Sequence, residues 1–351
     1  MLPRRPFSFM MFLEQDQHPL TKRILILPAL AALFAAACSP AAPRHDLYTV
    51  GIFQVTEAPT LGETRKGFIR AFEDQGYRDG ANIRFKVRNA MGDISEVQRI
   101  AEAFDRDRVD LIVALSTQSL QAALIAGTKI PIVFASVANP YLVKAGRSAE
   151  DHLPNVTGVA STAPIAETLA FIRQVLPQAR RIGTLWTPAE INSEYYLDLA
   201  RREASRLKME IVAIPIVNAG DVLFSAQLLV NKKVDAIYPI SDNTINAVFE
   251  TIGLVAEENG IPLFGGFASA TRLGACAAMG WDFFEMGRKA GALALRVKAG
   301  EQPGRIPFQA MSDLRLSLNM TAAARQGVVF PEVVIGRANE ILPPSAETRG
   351  N

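Results

Sequence analysis

Apolar residues return along this chain in two rhythms: short β-branched runs, and longer stretches in which they recur every three or four positions. The run "DLYTVGIFQ" (46–54) predicts a strand. In "LGETRKGFIRAFEDQGY", Leu61, Phe68 and Phe72 fall near one face of a helix, with Gly76 in the closing position. "NIRFKVRN" alternates like a half-buried edge strand. Ile94, Val97, Ile100, Ala101 and Phe104 then make an amphipathic helix leading into the strand "VDLIVALS". A helix from Thr117 and the strand "IPIVFAS" follow. After a Pro- and Gly-rich stretch the rhythm resumes, with strands "RIGTLWT", "EIVAIPIV", "VDAIYPIS" and "IPLFGG" and helices between them. Strand–helix alternation of this kind means parallel sheets covered on both faces, an α/β class.

Two pieces of the pattern repeat. "VDLIVALSTQSLQAAL" from Val109 and "VDAIYPISDNTINAVF" from Val234 share a Val-Asp entry, an apolar strand, a serine at its end and a helix beginning just after. The next strands, "IPIVFAS" and "IPLFGGF", start at Ile130 and Ile261, at nearly the same spacing. The repeat predicts two doubly wound lobes in tandem. Ligands of open α/β sheets bind beyond the carboxyl ends of the strands. The expected cleft loops are therefore 54–59, 116–118, 136–140, 187–193, 241–244 and 265–268.

The N-terminus changes the setting. Ile24 to Ala37 is a run of fourteen uncharged, mostly apolar residues behind Lys22 and Arg23, which is the form of a secretory signal rather than a spanning helix. Ala35, Ala36 and Ala37 ahead of Cys38 resemble the lipobox of bacterial lipoproteins, which implies lipidation of Cys38; an ordinary cleavage site with an incidental cysteine is the alternative. Residues 38–45 then read as a lipidated tether, and the working protein is expected to begin near residue 46, outside the cytoplasmic membrane. The long stretch ahead of Lys22, with Met10 and Met11 inside it, points to a misassigned start codon.

Charge and cysteine content exclude several classes. Of 37 Lys/Arg and 35 Asp/Glu, four and two fall within residues 1–37, so the remainder carries 33 of each; a neutral chain is not a nucleic-acid binder by composition. Cys276, in "GACAAMGW", has no plausible disulfide partner in Cys38 and reads as a small buried hydrophobe. His45 and His152 belong to no triad or zinc pair, and P-loop and GxGxxG motifs are missing. Glu257 and Glu258 are adjacent on one helix and cannot flank a substrate. Neither an enzyme, a cofactor nor a metal site is expected.

The ordered series "GIFQVTEAPTLGETRKGF", "DLIVALSTQSLQAALIAGTKIPIVFASVANP", "NVTGVAS", "YPISDNTI" and "GIPLFGG" resembles the ABC-transporter substrate-binding proteins that include tryptophan and phenylalanine binders, over Tyr48 to Leu342. The resemblance implies the type I periplasmic-binding-protein fold, with residues 46–161 and 278–308 in one lobe, 162–277 and 309–346 in the other, and a tail at 347–351. It also implies a monomeric binder that delivers a small solute, most naturally an amino acid, to a membrane permease and meets the membrane only through its lipid. A sensor reporting to a membrane receptor, or a binder of a sugar, nucleoside or other solute, are the competing readings. The sequence departs from the family at Glu57, where members often carry an aromatic residue or His; a carboxylate there would alter the pocket.

A zwitterionic ligand needs its ammonium matched by acceptors and its carboxylate by donors. Asp242, at a strand end before a helix, is the candidate for the ammonium, with an N-cap role as its alternative; the family match at "DNT" favours binding and brings in Asn243 and Thr244. Opposite, Ser116, Thr117 and Gln118 open a helix whose N-terminal N–H groups suit a carboxylate, although Ser and Thr also cap helices there. Ser136, Val137, Asn139, Asn192 and Ser193 are within reach of a bound solute, with capping equally open for the last two. Phe267 would supply an apolar wall beside Gly265 and Gly266. Trp186 and Trp281 read as core or hinge packing.

Overall fold

The computed structural model describes residues 47–343; the expected signal, the whole tether with Cys38, and the C-terminal tail lie outside them. In chain order the elements that position the site are β1 (Thr49–Gln54), α1 (Pro59–Glu73), β2 (Arg84–Asn89), α2 (Ile94–Arg106), β3 (Leu111–Leu115), α3 (Thr117–Ile125), β4 (Ile132–Val137), β5 (Val156–Ala160) and α4 (Ile165–Val175). The second half adds β6 (Arg181–Trp186), α5 (Ile191–Arg206), β7 (Glu210–Pro215), α6 (Val222–Asn231), β8 (Ala236–Ile237), α7 (Asn243–Asn246), α8 (Phe249–Glu258) and β9 (Phe264–Phe267). It closes with β10 (Ala277–Trp281), α9 (Phe283–Lys298), β11 (Gln309–Ala310), β12 (Arg315–Asn319) and β13 (Glu340–Leu342).

One lobe is a six-stranded sheet in the order β11-β5-β4-β3-β1-β2, parallel throughout. β1 and β3 are buried along their whole length, while β2 sits at the edge with every residue exposed or half-buried, without the regular alternation expected of it. The other lobe holds β7-β6-β8 and β13-β12-β10-β9, joined by a bridge between Ile237 and Leu263. In the second group β10 and β12 run antiparallel. β8 is shorter than the run "VDAIYPIS" predicts because Pro239 has no N–H to give; Tyr238 and Ile240 still donate to Gly183 and Leu185. The helix expected through "SDNTINAVFE" is broken into α7 and α8 at Val248.

Among the described residues the chain passes between the two sheets three times. It leaves the first lobe after Ala160, returns after Trp281 and leaves again after Ala310. The second and third passages come later than the expected boundaries at 277/278 and 308/309. Trp281 still pairs with Phe267 in the second lobe, and Gln309 and Ala310 pair with Val159 and Ala160 in the first. Helix α9 returns to the first lobe by packing on α1, where Gly67 and Gly287 bring the helices together. A Cβ on Gly287 would collide with the Thr64 carbonyl, and one on Gly67 with that of Phe284.

Apolar residues fill both lobes, and one buried cluster includes Val50 and Phe68 of the first with Ile237 and Phe267 of the second. Phe53 meets Phe104 edge-on at 5.8 Å in the first, and Phe171 meets Phe264 at 6.1 Å in the second. Cys276 is fully buried, and burial pushes its thiol up to about 12, in keeping with an inert packing role. Among the described residues no helix is long and apolar enough to cross a membrane.

Candidate ligand cleft

The carboxyl ends of the strands in the two lobes face one another, and between them lies a narrow space of about 30 Å³, on the scale of about two water molecules. From the first lobe Thr60, Thr117 and Ser136 reach it; from the second come Asn192, Tyr196, Ser241, Asn243 and Asn246. Trp281 and Phe283, at the second chain passage, add apolar surface. The lining carries no ionisable acid or base apart from the phenol of Tyr196. A wider chamber of about 360 Å³ opens beyond Asn243, with Gln118, Thr187, Glu190 and Thr244 in its wall.

In the first lobe the site is built at two strained strand ends. Ser116 has φ 137° and Ser136 φ 56°, values that non-glycine residues rarely adopt and that gather where function over-determines the backbone. The Ser116 hydroxyl caps α3 by accepting from the Ser119 N–H at 3.1 Å. The Ser136 hydroxyl lies 2.8 Å from that of Thr64, and Thr117 Oγ1 accepts from the Ala138 N–H at 3.3 Å.

In the second lobe two carboxylates lie beneath the amide surface. Asp242 is 1% exposed and does not line the cavity. Its Oδ1 accepts from the Ile245 N–H at 2.8 Å, and its Oδ2 from the Ser193 hydroxyl at 2.7 Å and the Thr187 N–H at 3.1 Å. Asp242 thus has the N-cap role that was the alternative to ammonium binding: it caps α7 and braces α5. Burial, and then the neighbouring Glu190 charge, push the Asp242 carboxyl well above the usual range, against these hydrogen bonds. Glu190, 3% exposed, holds five donors: Asn192 Nδ2, the Asn243 N–H and Nδ2, and the Thr244 N–H and hydroxyl, at 2.7 to 3.1 Å.

The lobes touch across the cleft. Asn243 Nδ2 donates to Gln118 Oε1 at 2.9 Å, and the Ser269 hydroxyl to Glu63 at 3.3 Å.

The structure thus brings Thr117, Ser136, Asn192 and Asn243 to the inner cavity and Gln118, Asn243 and Thr244 to the outer chamber. Ser116, Ser193 and Asp242 stand behind them as buried supports. Four expected residues are elsewhere. Val137 points into the first-lobe core, as alternation from Ser136 requires. Phe267 continues β9 into the core and packs edge-on against Phe249 at 5.2 Å. Asn139 accepts from the Tyr141 N–H in a turn. Glu57 is half exposed, paired with Arg65 and bonded by Gln54 and Asn89. Sequence reasoning missed Glu190, although it lies in the expected 187–193 loop, and it missed Tyr196, Asn246 and Phe283. Trp281, read from the sequence as core or hinge packing, lines the cavity, and its indole N–H donates to the Thr162 carbonyl at 2.9 Å.

Residues 49–342 match the family model of ABC transporter substrate binding proteins. The chain belongs to that family. Its members are binders of small solutes, not catalysts. This family member is 35% identical over 270 residues to the tyrosine-binding protein of Clostridioides difficile (strain R20291), covering 77% of this chain and 78% of that one. A substrate-binding protein with adhesive properties from Clostridium difficile, solved in its open, ligand-free form, is similar with a TM-score of 0.64 and 29% identity, over 84% of this chain and 99% of that one. The ABC domain from Streptococcus pneumoniae in complex with L-Trp has a TM-score of 0.80 at 23% identity, over 84% of this chain and all of the other, and shares the fold.

Proposed function

We propose that this protein captures an aromatic amino acid between its lobes, outside the cytoplasm, and delivers it to the permease of an ABC importer, with Cys38 as its lipid anchor. The observation that carries the reading is the cavity lining: Tyr196, Trp281 and Phe283 beside hydroxyls and amides, with no competing ionised side chain. Such a lining suits a flat apolar side chain on a zwitterion. The 35% identity to a tyrosine-binding protein supports the same class. The inner space is smaller than an aromatic amino acid. Loading therefore requires the lobes to part at the three chain passages and close again around the solute, each lobe contributing contacts.

Calorimetric titration of residues 46–351 against L-tyrosine, L-tryptophan, L-phenylalanine, L-leucine and glucose tests this. Saturable binding of at least one aromatic amino acid, with a smaller radius of gyration in its presence, is expected. Binding of glucose alone, or scattering curves that superimpose with and without ligand, would contradict it. For the anchor, a fatty-acid probe should label the full chain and not Cys38→Ser; an unlabelled wild type would sink that part alone.

A further inference from the structure

Asparagine is ambivalent, since either end of its amide can face a ligand. Next to Glu190 it is not. A carboxylate surrounded by five donors accepts only, so the atom of Asn192 that lies 3.1 Å from it must be the NH2 group. The Asn192 carbonyl is then turned away from Glu190, and Oδ1 is buried in the cavity lining without a partner among the described residues. Asn243 is fixed in the same way, because its Nδ2 lies 2.7 Å from Glu190. The second proton of that NH2 goes to Gln118 Oε1, which in turn leaves Gln118 Nε2 buried and unpartnered on the first-lobe side. One buried charge therefore sets the direction of a chain of amides across the cleft: an acceptor on the second lobe and a donor on the first.

We infer that Glu190 is a positioning residue for ligand recognition, which through Asn192 presents an amide oxygen as an acceptor for the solute's ammonium group without touching the solute. The inference rests on the amino-acid reading above and deepens it. A lone carboxylate in contact with the ligand would also attract inorganic cations. An amide oxygen oriented by a carboxylate behind it keeps the preference for a cationic N–H donor and takes it by hydrogen bonding.

The test compares L-tyrosine with 3-(4-hydroxyphenyl)propanoate, which differs only in lacking the ammonium, by titration of wild type, Glu190→Gln and Asn192→Ala. Wild type should prefer L-tyrosine by roughly tenfold or more, the scale of one hydrogen bond to a charged group. Glu190→Gln frees Asn192 to turn and should bring that ratio close to one, chiefly by weakening L-tyrosine. A purely structural role would lower both affinities and keep the ratio. Should Glu190→Gln not fold, Asn192→Ala removes the acceptor itself, and the same collapse of the ratio is expected. A ratio held within twofold of wild type in Asn192→Ala, or in folded Glu190→Gln, would overturn the inference and leave the amino-acid reading standing. A wild type that does not bind L-tyrosine at all would overturn the inference, while binding of another aromatic amino acid in the calorimetric series would still preserve the broader reading.

Discussion

The two lobes meet the cleft with the same local device and different electrostatics. Each has a Val-Asp entry, a buried strand, a serine at its end and a capped helix. In the first lobe the cap is that serine, Ser116, a neutral hydroxyl on a strained backbone. In the second the cap falls one residue later, on Asp242, and Ser241 lines the cavity, where its hydroxyl accepts from Asn246 Nδ2 at 3.1 Å. That shift brings a carboxylate into a fully buried position, with Glu190 nearby as a second one. Buried charges persist only where donors surround them, so the second lobe's loops supply hydroxyls, amides and backbone N–H groups to hold them. The first lobe lines the inner cavity with uncharged side chains and offers hydroxyls directly. A repeated fold has thus been differentiated into one side whose amides are directed by buried carboxylates and one that presents neutral hydroxyls.

The largest effect should come from removing the second lobe's central acceptor. Glu190→Ala strands five donors and is expected to cost at least about 3 kcal/mol in urea denaturation; a loss below about 1 kcal/mol would show that the carboxylate does not organise these loops. Next is pH. A carboxyl raised in the folded state keeps its proton where the unfolded chain has released it. Its contribution to stability is therefore full below the ordinary value of 3.8 and declines as pH rises through the raised folded value. Asp242→Asn should remove that decline, a change of slope of up to about 1.4 kcal/mol per pH unit. Parallel slopes for the two proteins would count against a raised Asp242 carboxyl in the folded state. The smallest effect lies in the first lobe. Ser116→Ala loses the cap and keeps the strain, for a cost of about 1 kcal/mol, whereas Ser116→Gly relieves φ 137° and should stay near wild type. If Gly is the worse of the two, the strained backbone is not a burden.

Much of this architecture was legible in the sequence, because strand and helix periodicities differ and the repeat from Val109 and Val234 marks equivalent strand ends. The cleft loops followed from those ends. Which side chain in a loop faces the cavity was less legible. Val137 and Ser136 are neighbours on one strand, and only the pleat separates core from cleft. Phe267 looked like a loop residue after two glycines, yet β9 runs through it. Glu190, in "TPAEINSEY", has the pattern of an exposed helix-start glutamate; its burial depends on Asn243 and Thr244, more than fifty residues away. Asp242 was recognised as important, but whether it caps or binds depends on Ser193 and Thr187 reaching it first.

The most direct test of the central claim is a crystal structure of this chain with L-tyrosine. The ammonium nitrogen should lie about 3 Å from Asn192 Oδ1, with the ring against Trp281 and the Asp242 oxygens still held by Ile245, Ser193 and Thr187. An ammonium bonded directly to Asp242, or a ligand whose carboxylate faces Asn192, would contradict it.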